Sequence, residues 1–320
     1  MGTYNGAKYL DEQLRSFATQ IRLPDELIVC DDMSDDRSVE ILLDFARAAP
    51  FKVEIIRNEK NIGYGRNFEK AISLCKGDVI FLSDQDDVWL PEKIKVVEME
   101  FLKYQSALVV VHDAELVDES LRRTNLTVAG QIRAVGGSSD GLLLGCCIAF
   151  RSVMRPLILP LPSDIYGHDR WINNLGNALE CRKFIQDVLQ LYRRHSANTS
   201  ESIATRIARV SRWDLFKEQL KSKSFRSDPA AACESRIDQL EILKRRIVDN
   251  RVYLIEGCGL ITPFTRAISN IDKVVGANRA RLYLQNKGLL RRLIGATVFY
   301  FRGGYREFEG WKSFAKDLLR

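Results

Sequence analysis

Residues 81–90, F-L-S-D-Q-D-D-V-W-L, set three carboxylates, Asp84, Asp86 and Asp87, at the end of an apolar run, V-I-F-L-S at 79–83, that reads as a strand. In an open α/β sheet, ligands bind at the carboxyl ends of the strands. Hard oxygen ligands gathered there suit a divalent cation, and a cation so held can in turn hold a diphosphate. Acidic triplets also occur as solvated turns. Here the context favours binding, because the triplet follows a strand and precedes Trp89 and Pro91, which suits the first residue of a helix. A calcium loop is excluded, since it needs more ligands and a central glycine.

Working outward, apolar runs of strand composition alternate with helical patterns through residue 103. Leu10, Leu14, Phe17 and Ile21 share one helix face, and E-L-I-V-C at 26–30 reads as a buried strand. Val39, Leu42, Leu43 and Ala46 share a second helix face; V-E-I-I-R follows as a strand, and a helix spans about 65–75. This alternation predicts an α/β fold, a mainly parallel sheet flanked by helices. From 104 to 200 the order changes, with strands expected at 107–112 and 142–150, a polar loop at 124–140 and a helix opening near Asp169. Beyond 200 the pattern is helical and rich in charge.

Composition sets the outer bounds. The 320 residues, 46% of them hydrophobic, can bury a sizeable core and are not those of a disordered chain. The net charge of +6 is uneven: residues 201–320 hold 24 basic and 13 acidic residues, and residues 1–200 hold 24 and 29. The seven cysteines, at 30, 75, 146, 147, 181, 233 and 258, form no C-x-x-C pair and no even set. They read as reduced thiols of a cytoplasmic protein. The apolar run at 293–301 is far short of the ~20 residues of a spanning helix. Clustered lysine and arginine without a reading motif give only weak support to a nucleic-acid partner, and none is expected.

Three loops complete the predicted ligand edge. T-Y-N-G at 3–6 precedes a helix but has almost no chain before it for a strand. In D-D-M-S-D-D at 31–36, Asp31 or Asp32 is placed to accept a hydrogen bond from a base N–H, while Ser34, Asp35 or Asp36 suits a helix cap. N-I-G-Y-G-R-N at 61–67 is a poor dinucleotide fingerprint. Its glycines either serve a turn alone or bring Arg66 or Asn67 to a donor phosphate or sugar.

As an ordered set, T-Y-N-G, D-D-M-S-D-D, N-I-G-Y-G-R-N and S-D-Q-D-D-V-W resemble the family 2 glycosyltransferases of the GT-A fold, and most closely the bacterial rhamnosyltransferases of surface polysaccharide synthesis. The resemblance is clear over residues 1–200 and looser beyond. It implies a nucleotide-sugar-binding half at 1–103, an acceptor-binding half of the same domain at 104–200, and a helical basic extension at 201–320. It further implies donor contacts from Thr3, Tyr4, Asn5, Asp31, Asp32, Asn61, Arg66, Asn67 and Asp84, with Arg193 and Arg194 on the diphosphate. Asp86, Asp87 and His195 would ligate Mg²⁺ or Mn²⁺, the imidazole favouring Mn²⁺.

Y-G-H-D-R-W at 166–171 resembles the family's acceptor-side motif, with Asp169 in the place of the catalytic base; a plain helix cap is the alternative. His168 and Trp171, with Gly145 and Cys146 of G-C-C-I-A-F-R at 145–151, would line the acceptor pocket, though each is also compatible with packing. The implied activity is inverting transfer of a hexose or deoxyhexose, rhamnose included, from a TDP or UDP sugar to a glycan or lipid-linked oligosaccharide. A pyrophosphorylase would open instead with a glycine- and arginine-rich phosphate loop.

One departure stands out. Members of the family carry an apolar strand before T-Y-N, central in the sheet, where this chain has only Met1 and Gly2. The expectation is a natural chain that begins upstream, with an impaired domain acting as a glycan-binding or scaffold protein as the other reading. The basic, apolar C-terminal part fits either peripheral contact with a membrane or a helix packed on the protein itself.

Overall fold

The computed structural model describes residues 1–320 except 139, 140, 143, 164–166, 197, 199–201, 222–228, 309 and 320, so parts of the motifs at 166–171 and 191–200 and of the loop at 124–140 lie outside the described residues. The described residues form two compact units, Met1–Asn177 with Cys181–Lys217, and Ala178–Glu180 with Glu218–Arg320.

The first unit opens with the expected alternation: β1 (Gly2–Thr3), α1 (Ala7–Ala18), β2 (Glu26–Asp31), α2 (Ser38–Ala48), β3 (Lys52–Arg57), α3 (Tyr64–Leu74), β4 (Val79–Phe81), β5 (Val88–Trp89) and α4 (Lys93–Lys103). The first three strands form a parallel sheet in the order β1-β2-β3. Because side chains alternate along a strand, Leu27 and Val29 of β2 meet Leu10, Leu14 and Phe17 of α1, while Ile28 and Cys30 meet Ala71 of α3 on the other face. Both faces are covered, as the unbroken apolar run of β2 requires.

The second sheet is mixed, in the order β4-β8-β6-β9-β5, with β7 added to β6. Its later members are β6 (Val109–Val117), β7 (Arg123–Thr127), β8 (Ile148–Arg151) and β9 (Arg182–Arg193). Three expectations are corrected here. The strand expected at 107–112 runs on through His112, Asp113 and Glu115, because Asp113 is satisfied inside the fold: its carboxylate accepts from the Ala114 and Ala129 N–H groups at 2.8 and 2.9 Å. The segment expected to be a polar loop at 124–140 holds β7 and a short helix, α5 (Val128–Ala134), whose second amide is the one Asp113 caps. The start of the strand expected at 142–150 is a 3₁₀ turn, Gly145–Cys147. Helix α6 (Arg155–Ile158) follows β8, and α7 (His168–Ala178) opens beside Asp169 as expected.

β1 is only two residues long. Met1 lengthens its ladder with β2, accepting from the Cys30 N–H at 3.0 Å and donating to the Ile28 carbonyl at 2.8 Å. No ladder joins β1 to β4 among the described residues, and between β2 and β4 runs a cleft of about 220 Å³ walled by Met1, Phe17, Leu27, Val79, Phe81 and Trp89. The backbone edge of β2 ahead of Ile28 therefore has no ladder neighbour on that side among the described residues.

The second unit is helical: α9 (Pro229–Asp249), α10 (Ile261–Gln285), α11 (Leu289–Phe301) and α12 (Trp311–Leu319) follow α8 (Arg212–Lys221), most of which belongs to the first unit. Arg281 makes a two-pronged pair with the buried Asp317, both contacts 2.7 Å, and Tyr305 donates to the same carboxylate at 2.8 Å. This pair ties α10 to α12.

An apolar, β-forming extension of four or five residues ahead of Met1 is expected to enter the cleft beside β2 and raise Tm, on the order of 5 °C for a domain of this size. An unchanged melting curve would show that the cleft does not accept a strand.

Candidate active site

The loops after β1, β2 and β4 meet at one edge. Tyr4 and Gln85 bind each other reciprocally, the Tyr4 N–H donating to Oε1 at 2.9 Å and Nε2 donating to the Tyr4 carbonyl at 3.0 Å. Gly6 is required by this contact, because a Cβ there would lie 2.2 Å from Gln85 Oε1. Asn5, at φ +48°, accepts from the Asp35 N–H at 2.9 Å and donates its own N–H to Ser34. Tyr4 itself is half exposed at this edge.

Asp31 and Asp32 are both buried and do different work. Asp31 accepts from Thr3 Oγ1 at 3.1 Å and from the Ser34 hydroxyl and N–H at 2.5 and 3.0 Å, with the Arg57 guanidinium 3.8 Å away. Asp32 accepts from Asn58 Nδ2 and from the Ile62 and Gly63 N–H groups at 2.8 to 2.9 Å. Asp32 thus shapes the third loop, where Asn61 caps the Gly63 N–H at 3.1 Å and Gly63 takes φ +82°. Asn67 points inward, donating to the Cys30 carbonyl at 2.7 Å and accepting from Asn58. Arg66 stays on the surface, paired with Glu69 and donating to the Leu161 carbonyl at 3.2 Å.

The carboxylate triplet divides into an outer and an inner part. Asp86 lies 2.9 Å from His195 Nε2, and Asn198 holds the His195 N–H through its Oδ1 at 2.7 Å. The His195 ring also packs on Tyr9, centroids 4.5 Å apart. Asp87 is buried, accepting from Gln190 Nε2 at 3.0 Å and the Arg193 N–H at 3.1 Å. Ligand atoms of Asp84, Asp87 and Cys146 lie within 4.8 Å of one another. Burial, and then the Asp86 charge, push Asp84 up to about 7, and the same causes raise Asp87 well above the usual carboxylate range. Crowded carboxylates that resist ionisation, beside an Asp–His pair, form a donor set that fits a hard divalent cation.

Lys93 lies outside the sequence motifs. Its buried ammonium donates to the Cys146 carbonyl at 2.9 Å and Gln190 Oε1 at 2.6 Å, stands 3.9 Å from the Trp89 ring centroid, and is pushed down to about 8 by burial. The only hint in the sequence was its place two residues after Pro91.

Arg193 and Arg194 were expected on the diphosphate. Arg193 is instead 2% exposed, its guanidinium donating to the Asp86 carbonyl at 2.8 Å, the Glu119 carbonyl at 3.0 Å and Glu12 at 2.5 Å. It braces the acidic loop from behind. The Arg194 side chain is half-buried, and its N–H donates to the Val117 carbonyl at 2.9 Å.

The 3₁₀ turn at Gly145–Cys147 joins this cluster to the helix carrying Asp169. Cys146 faces Asp84 and Asp87, while a Cβ at Gly145 would lie 2.8 Å from His168 Nε2 and 3.5 Å from Asp169 Cβ. Asp169, in the first turn of α7, accepts from the Arg170 N–H at 2.7 Å, and burial raises it above the usual carboxylate range. Beside it lies a cleft of about 340 Å³ lined by Tyr64, Arg66, Leu161, Gly167, His168 and Trp171. His168 stacks on Phe68 at 4.0 Å and is held neutral at about 3 by burial. Trp171, expected as an acceptor contact or as core, is fully buried with its indole N–H on the Ile158 carbonyl at 3.0 Å, so it floors the cleft and presents no open face for stacking.

Three polar loops meeting at one edge, an acidic triplet after β4 and a carboxylate at the start of α7 belong to an α/β architecture of the GT-A fold. Residues 1–156, just under half of the chain, match the model of glycosyl transferase family 2. The chain is 29% identical over 118 residues to an uncharacterized glycosyltransferase of Nostoc sp., covering 37% of this chain and 36% of that one. It is 35% identical over 99 residues to a dTDP-rhamnosyl transferase of Shigella flexneri, covering 30% and 34% respectively. The alignments thus span about a third of these two relatives. Among solved structures, residues 1–349 of TarS from S. aureus with UDP superpose with a TM-score of 0.53 at 15% identity, covering 87% of this chain and 89% of that one, a likeness of fold alone.

A carboxyl whose folded pKa is raised contributes stability that is full below its unfolded value, near 3.9 for aspartate, and is lost as pH rises through the folded value. Without metal, Tm is therefore expected to fall between about pH 4 and pH 7 as Asp84 ionises, and Mn²⁺ should restore it at pH 8. Asp84→Asn should flatten part of that fall, the rest belonging to Asp87. Thermal melts across this range check it; a metal-free profile that does not fall contradicts the arrangement.

Proposed function

We propose that this protein is an inverting, metal-dependent glycosyltransferase that moves a hexose or deoxyhexose, rhamnose being the first candidate, from a TDP or UDP sugar to a glycan or lipid-linked oligosaccharide. The observation that carries the reading is the Asp86–His195 pair set beside Asp84 and Asp87, with Asp169 across the Gly145–Cys147 turn. The dTDP-rhamnosyl transferase relative supports the donor class, as does the abequosyltransferase of Salmonella typhimurium, 30% identical over 98 residues and 29% covered. We assign the reaction to the cytoplasm, where the seven thiols, none of them in a disulfide, stay reduced.

In this reading Thr3, Tyr4, Asn5 and Asp31 hold the base, Asp84 the ribose or donor sugar, and Asp86 with His195 the metal, Asp87 fixing the loop from below. Mg²⁺ or Mn²⁺ bound there supplies Lewis-acid stabilisation of charge on the departing diphosphate. Asp32 and Asn61 act one step back, shaping the loop that presents Arg66. Asp169 takes the proton of the acceptor hydroxyl as that oxygen attacks the anomeric carbon from the face opposite the diphosphate, which inverts the centre. A carboxylate made more basic by burial suits that role. The cleft beside it, with Tyr64 at its rim and neutral His168 inside, would take the acceptor sugar.

Calorimetric titration with UDP, TDP and GDP, with and without Mn²⁺, tests the donor class. Asp86→Ala is expected to abolish metal-dependent binding. Asp169→Asn should leave binding intact and lower kcat by roughly 10²- to 10⁴-fold. Equal loss of binding in both variants would refute the division of roles, and failure to bind any diphosphate would favour a glycan-binding protein.

A further inference from the structure

Helix α11 carries an apolar stripe that the protein itself leaves open. Leu290, Ile294, Val298 and Phe301 follow the i, i+4, i+8, i+11 spacing that keeps residues on one helix face. Leu290 is 72% exposed, Ile294 59% and Phe301 81%. The opposite side is the packed one: Ala296 is buried, a Cβ at Gly295 would meet Leu284 at 2.3 Å, and Phe299 stacks edge-on with Tyr305 at 5.0 Å. The stripe is therefore not this helix's contribution to its own core. Trp311, 65% exposed, adds a second large apolar group in the same unit.

Charge identifies what covers it. From residue 273 to residue 306 the chain has eight lysines and arginines and no acidic residue. Lys273, Arg279 and Arg281 are paired, with Glu307, Glu241 and Asp317. Lys287, Arg291, Arg302 and Arg306 have no carboxylate partner among the described residues, and by helical projection Arg291 and Arg302 flank the stripe on one side. Exposed leucine, isoleucine and phenylalanine bordered by free arginines match an anionic bilayer surface, where apolar side chains enter the acyl boundary and cations meet headgroup phosphates. No helix among the described residues is long and apolar enough to cross a membrane, so the helix would lie along the surface.

We propose that this face of α11 docks the protein on anionic lipid bilayers. The inference is independent of the transferase reading, since it involves neither donor nor metal. Flotation of the full chain with phosphatidylglycerol–phosphatidylcholine vesicles tests it. Wild type is expected to float at low salt, to float less at high salt, and to stay down with phosphatidylcholine alone. The exposed-site double variant Ile294→Glu/Phe301→Glu should lower partitioning about tenfold or more, and Arg291→Glu/Arg302→Glu should remove the preference for anionic lipid. Circular dichroism melts matching wild type would show that both variants fold. Wild type that stays down with anionic vesicles overturns the proposal. So does a dimer in sedimentation that Ile294→Glu/Phe301→Glu dissociates without any change in flotation, which would assign the stripe to a second copy of the chain.

Discussion

The site depends on one buried guanidinium. Arg193 ends β9, and from there its side chain reaches the Asp86 carbonyl, the Glu119 carbonyl and Glu12, while its backbone N–H serves Asp87. An arginine is suited to this because its planar fork holds several acceptors at fixed angles and keeps its charge when buried. The loop it braces must crowd three carboxylates at the end of a strand, an arrangement opposed by both burial and mutual repulsion. The Asp86 carbonyl and the Asp87 carboxylate both accept from Arg193, so one residue of β9 fixes the acidic loop at two points. That linkage explains why Asp86 and His195, 109 residues apart, come within 2.9 Å.

Lys93 plays the matching part on the inner side. Its ammonium is held by Gln190, which also donates to Asp87, and by the carbonyl of Cys146, which faces Asp84. The cation and the inner acids are thus joined through neutral intermediaries instead of a direct ion pair. Each ionised form then costs more than in water, which is why Lys93 is pushed down while Asp84 and Asp87 are pushed up. A cation held at Asp86 would favour the ionised forms of the neighbouring Asp84 and Asp87.

Much of this was legible in the sequence, and the reasons are local. The Rossmann-like alternation through residue 103 was readable because β2 is apolar on both faces and each helix shows a 3.6-residue period. The acidic triplet, Asp169 and His195 were readable as motifs. β9 was not: Phe184, Ile185, Val188, Leu189 and Tyr192 repeat at helical spacing, and the register shifts between β6 and β9 show why, since bulges break the strict alternation of a strand. The roles of Arg193 and Lys93 were hidden for a different reason. A long cationic side chain can reach solvent or turn inward, and only the tertiary positions of Gln190, Cys146 and Glu12 decide which.

The divided sheet follows the same logic. Met1 to Thr3 provide enough ladder to set the Thr3 hydroxyl against Asp31 and the Tyr4 amide against Gln85, so this edge is built on a two-residue strand. Ligand loops need only the carboxyl end of a strand, whereas sheet continuity needs its length. The cleft between β2 and β4 is bordered at one end by Pro24, Glu26 and Asp78, which enter the strands, and extends to Ser83 and Trp89, which flank the acidic triplet. Filling the cleft should strengthen the sheet, while the contacts that position Asp31 and Gln85 are already made.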